Sequence, residues 1–274
     1  MIQSAAILTR TGAVHVELPC KETELMSGVS WGAVDAFPTP AYWAYQVMAR
    51  RLIGRPAQYR LGRTLAEEVG ACLLGGHGIP ATVGLAAYDR LRTRGAFEDG
   101  QVTEDQLVDW LKAPLMVGDR AVRYRFAAQK ARYLAAALPA AKAAPAFDTG
   151  KQLRDWLMSL PGIGPKTASW IARNWLDADD VAILDIHIMR VGQVIGLFPL
   201  EQTVERHYMA LEERFLRFAE LLDVRASELD AIIWHEMASS PATARQLIHH
   251  LEAPGEYKPF ARRRRQAQQT TLAF

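Results

Sequence analysis

Apolar residues along the chain recur mainly at the three-and-four spacing of helices, and alternation of strand type is confined to the N-terminal end. Over residues 5–18 the turn pair Thr11-Gly12 and the alternating Val14, Val16 and Leu18 predict a short β-hairpin at an edge of the fold. Residues 31–40 read as a loop, and Ala41 opens a first long helix whose Tyr42, Trp43 and Tyr45 belong to a packed stripe. Further helices are predicted over Leu61–Leu74, Ala81–Arg92, Val102–Leu111 and Arg120–Leu138, with the cluster Gly75-Gly76-His77-Gly78 between the first two. The alanine- and proline-rich stretch 135–147 reads as a helix end and linker. Leu153–Leu160 is helical again, Pro161-Gly162-Ile163-Gly164-Pro165 breaks it, and a new helix runs on through Ala168, Ile171, Ala172 and Trp175. After the apolar run Val181–Leu184 come a helix carrying Ile186, Ile188, Met189, Val191, Val194 and Ile195, and two amphipathic helices over Glu201–Leu222 and Ser227–Ser239, the second with Ser227 as its N-cap. The fold class is mainly α, with a short N-terminal β-hairpin.

With 274 residues, half of them hydrophobic, the chain can bury a large core as one substantial domain or two lobes. A formal net charge of +2 announces no polyanion partner, so affinity for nucleic acid has to come from local clusters of Lys and Arg. Two such clusters stand out: Arg120, Arg123, Arg125, Lys130 and Arg132, and the four arginines Arg262–Arg265. Each reads either as a solvated face or as a track for a phosphate backbone. No apolar run approaches the length of a membrane span, and Met1-Ile2-Gln3-Ser4 does not open an export signal; a cytoplasmic, nucleoid-associated protein with reduced thiols is expected. Cys20 and Cys72 are too few and too far apart for a four-cysteine iron–sulfur cluster, so no metal or other cofactor is expected.

Turn chemistry, phosphate chemistry and two reactive groups coincide only in the stretch from Leu160 to Arg190. Gly162 and Gly164 lie just before a helix start, where backbone N–H groups and the helix dipole can seat an anion; the same sequence also suits an ordinary corner between helices. Lys166 falls in the first turn, where a cation opposes the dipole and a carboxylate would be the stabilising choice. A lysine in that position either meets a phosphate or, partly desolvated, serves as a neutral amine nucleophile. Asp185, nineteen positions further on, is a good N-cap for the helix that follows, whatever else it does. Trp170, one turn past Lys166, shares its face, so its indole either floors a pocket beside the amine or packs against Trp156 or Trp175.

The combination of LPGIGPKTA with ILDIHIMRV, at that separation, resembles the helix–hairpin–helix glycosylase/lyase superfamily (HhH-GPD), and within it the 8-oxoguanine DNA glycosylases. The likeness covers about residues 40–240. It implies a two-lobed glycosylase fold: a helical bundle over 57–176 ending in the helix–hairpin–helix at 153–176, a second lobe from 1–56 plus 177–260, and a basic tail over 261–274. DNA would lie in the cleft between the lobes. It further implies that Lys166 attacks the sugar C1′ of a damaged nucleotide while Asp185 stabilises the positive charge that develops there.

Gly162, Gly164 and the motif histidine His187 become DNA-binding residues on this likeness. So does His77, the one sizeable polar side chain in a loop that fills the gap left by an extruded base in the 8-oxoguanine branch, though the same glycine cluster also reads as a plain corner with a solvated histidine. The segment ELDAIIWHE looks like the C-terminal helix of the small archaeal-type enzymes, which makes Trp234 the second wall of a base pocket beside Trp170. The expected activity is that of a monomeric bifunctional glycosylase/AP lyase. It would remove 8-oxoguanine opposite cytosine from duplex DNA through a lysine Schiff base and β-elimination. Another modified base, or a hairpin used only as a non-catalytic DNA clamp, is the alternative; clamping alone would require neither Lys166 nor Asp185.

Overall fold

The computed structural model describes residues 2–54, 59–76, 78–98, 101–240, 242, 247 and 260–261. His77 and the arginine-rich tail therefore lie outside the described residues. The N-terminal alternation forms the hairpin β1 (Gln3–Leu8) and β2 (Ala13–Leu18), paired antiparallel from Gln3↔Leu18 to Leu8↔Ala13. A second small hairpin, β3 (Glu24–Met26) with β4 (Val29–Ser30), turns at Gly28. The loop 31–40 contains the short strand β5 (Ala36–Phe37) and leads into α1 (Pro40–Ile53). That helix is capped by the Thr39 hydroxyl, which accepts from the Tyr42 N–H at 3.2 Å.

The middle of the chain is α2 (Leu65–Leu74), α3 (Ala81–Thr93), α4 (Glu104–Lys112), β6 (Leu115–Val117), β7 (Arg120–Val122), α5 (Ala127–Lys142), α6 (Gly150–Leu157) and α7 (Pro165–Leu176). Then follow α8 (Ile186–Val194), α9 (Val204–Leu221), α10 (Ala226–Ser239) and β8 (Phe260–Ala261), the last paired with β5. All strand pairs among the described residues are antiparallel and two-stranded, so helices build the core.

Three elements differ from the sequence reading, each for a local reason. Arg120–Val122 is a strand, because Gly118, at φ +57°, folds it back on Leu115–Val117; helix begins only at Ala127. Tyr124, buried, donates its hydroxyl to the Leu74 carbonyl at 2.7 Å and pins the chain between strand and helix. Leu61–Thr64 is not helical, since the Leu61 and Gly62 N–H groups both donate to the buried Glu68 carboxylate at 2.7 Å, drawing the chain back across the helix start. Ser227 is not the N-cap of α10: the helix begins at Ala226, and the Ser227 N–H donates to Asp179 Oδ1 at 3.0 Å from inside the first turn.

Two hydrophobic clusters result. One gathers buried residues from Leu65 to Val181, on α2 through α7, the segments between them and the stretch just after α7. The other joins Leu18, Val29, Trp31 and the buried face of α1 to residues from Ala182 onward on α8, α9 and α10. At its centre Trp43, fully buried, meets Phe37 and Tyr42 edge-to-face, an arrangement favourable for aromatic rings. The chain passes from one cluster to the other between Val181 and Ala182, three residues before Asp185. Among the described residues no helix is long and apolar enough to cross a membrane.

Candidate active site

The corner between α6 and α7 is set by two glycines with different duties. Gly162 has φ +81°, and a Cβ built on it would stand 2.3 Å from the Tyr133 ring, so both backbone and packing require glycine. Gly164, the N-cap of α7, has φ −90° and nothing within 4 Å of where a Cβ would be. No side chain caps α7, so its first N–H groups have no side-chain acceptor among the described residues at the positive end of the helix. Gly162→Ala is expected to lower stability by roughly 1–3 kcal/mol from backbone strain alone, seen as a lower melting temperature. Gly164→Ala, at φ −90° and with nothing within 4 Å of the added methyl group, should lower the melting temperature by less than Gly162→Ala does, the loss being that of a poorer N-cap.

Lys166 is the second residue of α7 and is half-buried. Asp185 is 8% exposed and caps α8, its Oδ1 accepting from the N–H groups of His187 at 2.8 Å and Ile188 at 3.0 Å. His187, two residues after Asp185, is half-buried. Burial holds its imidazole below the usual range; the Asp185 carboxylate opposes that shift, and Arg190 and Lys166 add to it. The buried Nδ1 of His187 has no hydrogen-bond partner among the described residues.

The two tryptophans differ. Trp170 is half-buried, with its six-membered ring lying over Gly75: a Cβ there would sit 3.2 Å from it. Trp156 pairs instead with Phe147, and Trp175 carries the Arg60 guanidinium over its face at 4.1 Å. Around the same glycine turn stand Lys130, its Nζ 3.5 Å from the Gly75 carbonyl and its pKa lowered by burial, and Phe126, whose ring lies 3.7 Å from a Cβ at Gly78. Trp234, on α10, is 49% exposed, and Ile186, beside Asp185, is 56% exposed; both present apolar surface to solvent next to buried neighbours.

A set of buried polar side chains escaped the sequence reading. Glu212 Oε1 accepts from Ser169 Oγ at 2.8 Å and from the Ala182 N–H at 2.9 Å, while its Oε2 is paired with Arg154. Asp230 Oδ1 accepts from Arg173 Nη2 at 3.2 Å and its Oδ2 from the Ile183 N–H at 3.2 Å. Tyr208 donates its hydroxyl to the Ala182 carbonyl at 2.7 Å and accepts from the Leu184 N–H at 3.3 Å. Arg173 is covered on its other side by the Tyr59 ring at 4.1 Å.

Burial raises the Glu212 carboxyl, against the Ala182 N–H and Arg154. Burial also pushes Asp230 from 3.8 up to about 7, against Arg173 and the Ile183 N–H. A carboxyl raised on folding costs stability as pH climbs through that window, so Asp230 stabilises nothing at neutral pH by its charge alone. The available signal was polar residues at apolar positions: Arg173 falls seven residues after Lys166 on α7, and Asp230 sits within LDAII.

A sequence model of the family described as 8-oxoguanine DNA glycosylase matches residues 62–224, more than half of the chain. An 8-oxoguanine DNA glycosylase/AP lyase of Methanocaldococcus jannaschii is 36% identical over 93 residues, which is 32% of this chain and 44% of that protein. One of Fusobacterium nucleatum is 30% identical over 94 residues, 33% of this chain and 43% of that protein. The aligned stretch spans less than half of either relative's length. The crystal structure of the M. jannaschii 8-oxoguanine glycosylase/lyase with a 15mer DNA containing 8-oxoguanine superposes with a TM-score of 0.50 at 25% identity, covering 64% of this chain and 81% of that one. With that family model matched over more than half of a mainly helical chain, the chain belongs to the 8-oxoguanine DNA glycosylase family.

Proposed function

We propose that the protein is a DNA glycosylase with AP lyase activity that removes 8-oxoguanine from duplex DNA, acting as a monomer on cytoplasmic, nucleoid DNA. What carries the reading, beside family membership, is the combination of a half-buried lysine in the first turn of α7, which no side chain caps, with a buried aspartate that caps α8. An uncapped helix N-terminus suits a DNA phosphate, which would lay the sugar against Lys166 and Asp185.

The chemistry then follows in order. Having given up a proton to solvent, the Lys166 amine attacks C1′ with its lone pair, and the bond from C1′ to the base breaks, its electron pair leaving with the base, which takes up a proton released from Nζ. Positive charge grows on C1′ and O4′ opposite the Asp185 carboxylate. The C1′–O4′ bond opens, O4′ is protonated, and nitrogen and C1′ form the Schiff base. Loss of a C2′ proton expels the 3′ phosphate with its electron pair and nicks the strand; water releases the sugar and restores the amine.

The extruded base needs flat or apolar walls. The exposed face of Trp234 and the indole of Trp170 beside Gly75 support a pocket next to the amine. Duplexes carrying a single 8-oxoguanine, oxidised pyrimidine or normal guanine test this: release of 8-oxoguanine alone is expected, and preferential release of a pyrimidine would reassign the substrate. In the same assay Trp234→Ala should weaken binding to the lesion duplex by about 1–3 kcal/mol, the worth of one stacked base, and leave undamaged duplex binding unchanged. Trp170→Ala should also lower the melting temperature, because its ring fills the space over Gly75.

A further inference from the structure

Three consecutive backbone N–H groups, those of Ala182, Ile183 and Leu184, lead up to Asp185 without belonging to a helix or strand, and each is held by a buried side chain from elsewhere: Glu212, Asp230 and Tyr208. The first two of these also grip α7. Glu212 binds Ser169, three residues after Lys166, and Asp230 binds Arg173, seven residues after it. Residues at those spacings lie along one face of the helix that carries the amine. Each carboxylate therefore joins the helix of Lys166 to the strand of chain that delivers Asp185, across the boundary between the two hydrophobic clusters.

Their expense points the same way. Burial pushes both carboxyls upward, and buried ion pairs often stabilise a fold no better than apolar residues of the same shape. An arrangement that fixes one reacting group against another has a use for such bonds, since a misplacement of about 1 Å can slow a reaction roughly a hundredfold.

We propose that Glu212 and Asp230 are positioning residues that set the separation of Lys166 and Asp185 by bridging α7 to the 182–184 segment. The proposal rests on the glycosylase reading for its consequence, though the latch itself does not.

The test separates steps that need the pair from steps that need the lysine alone. Ser169→Ala, Glu212→Leu and Asp230→Asn are compared in single-turnover base release from an 8-oxoguanine duplex and in borohydride trapping on a duplex with a preformed abasic site, where the base is already gone. Base release should slow at least about tenfold more than trapping. A variant that only loses folded protein lowers both rates in proportion, and that result, or unchanged base release in a folded variant, overturns the proposal. Should Asp230→Asn not fold because Arg173 is left without its partner, Asp230→Asn with Arg173→Gln removes both charges and is read the same way.

Hydrogen exchange reads the latch without any turnover. The amides of Ala182, Ile183 and Leu184 should be protected in the native protein, and Ile183 should lose protection selectively in Asp230→Ala with Arg173→Gln, which leaves it no acceptor. Fast exchange of all three in the native protein overturns the proposal. Native protection with no base release from any lesion duplex would sink the glycosylase reading and leave the latch standing.

Discussion

Lys166→Gln is expected to lose both the borohydride-trapped adduct with lesion DNA and strand cleavage, to below detection, while folding as well as the native protein. The loss is complete because an amide nitrogen has no lone pair free to attack C1′, and no Schiff base means no β-elimination. Stability should hold for a separate reason. Lys166 lies in the first turn of α7, where a positive charge works against the helix dipole by about 0.3–1 kcal/mol, and the fold makes no ion pair with it among the described residues. A neutral side chain of similar length should therefore leave the melting temperature equal or slightly raised. A covalent adduct formed by the variant at native yield would assign the nucleophile to another amine, of which the half-buried Lys130, near Gly75, is the first to test.

What the sequence made legible was local chemistry. The glycine corner, the helix starting at Pro165 and the cap at Asp185 are each decided by a few neighbouring residues, and they stand where the pattern puts them. Bonds that cross the chain were not legible. Nothing near Leu61 says that its N–H will turn toward Glu68, seven residues on, so the helix there starts late. Gly118 signals a turn, yet the basic residues after it kept the helical reading over what is a hairpin strand. Asp230 and Glu212 show the same limit at the site itself: their partners lie 47 and 30 residues away at Ile183 and Ala182, and a single sequence carries no trace of which buried acid meets which amide.

Asp185→Asn is expected to slow base release by roughly two orders of magnitude or more, as removal of a group that stabilises transition-state charge commonly does, with no loss of thermal stability. The substitution discriminates because the residue has two duties that depend on different properties of the carboxylate. As a cap it needs only an oxygen acceptor facing the His187 and Ile188 N–H groups, and asparagine supplies that oxygen about as well as aspartate does. As a counter-charge for the sugar cation it needs the negative charge, which asparagine lacks. Its immediate surroundings argue further that the fold does not require that charge. Asp185 lies near enough to the buried Asp230 to help raise the Asp230 carboxyl, so neutralising it relieves a repulsion between two acids. Asp185→Ala provides the contrast, removing cap and charge together and lowering stability by about 1 kcal/mol. The comparison is made by single-turnover base release, trapping on a preformed abasic site and melting temperature for both variants. Trapping should survive in Asp185→Asn, since the aldehyde of an abasic site has no glycosidic bond left to break. Native base release by that variant, with a lowered melting temperature, would reduce Asp185 to a helix cap. Retained folding and trapping with base release lost would tie the carboxylate to the one step at which a cation forms.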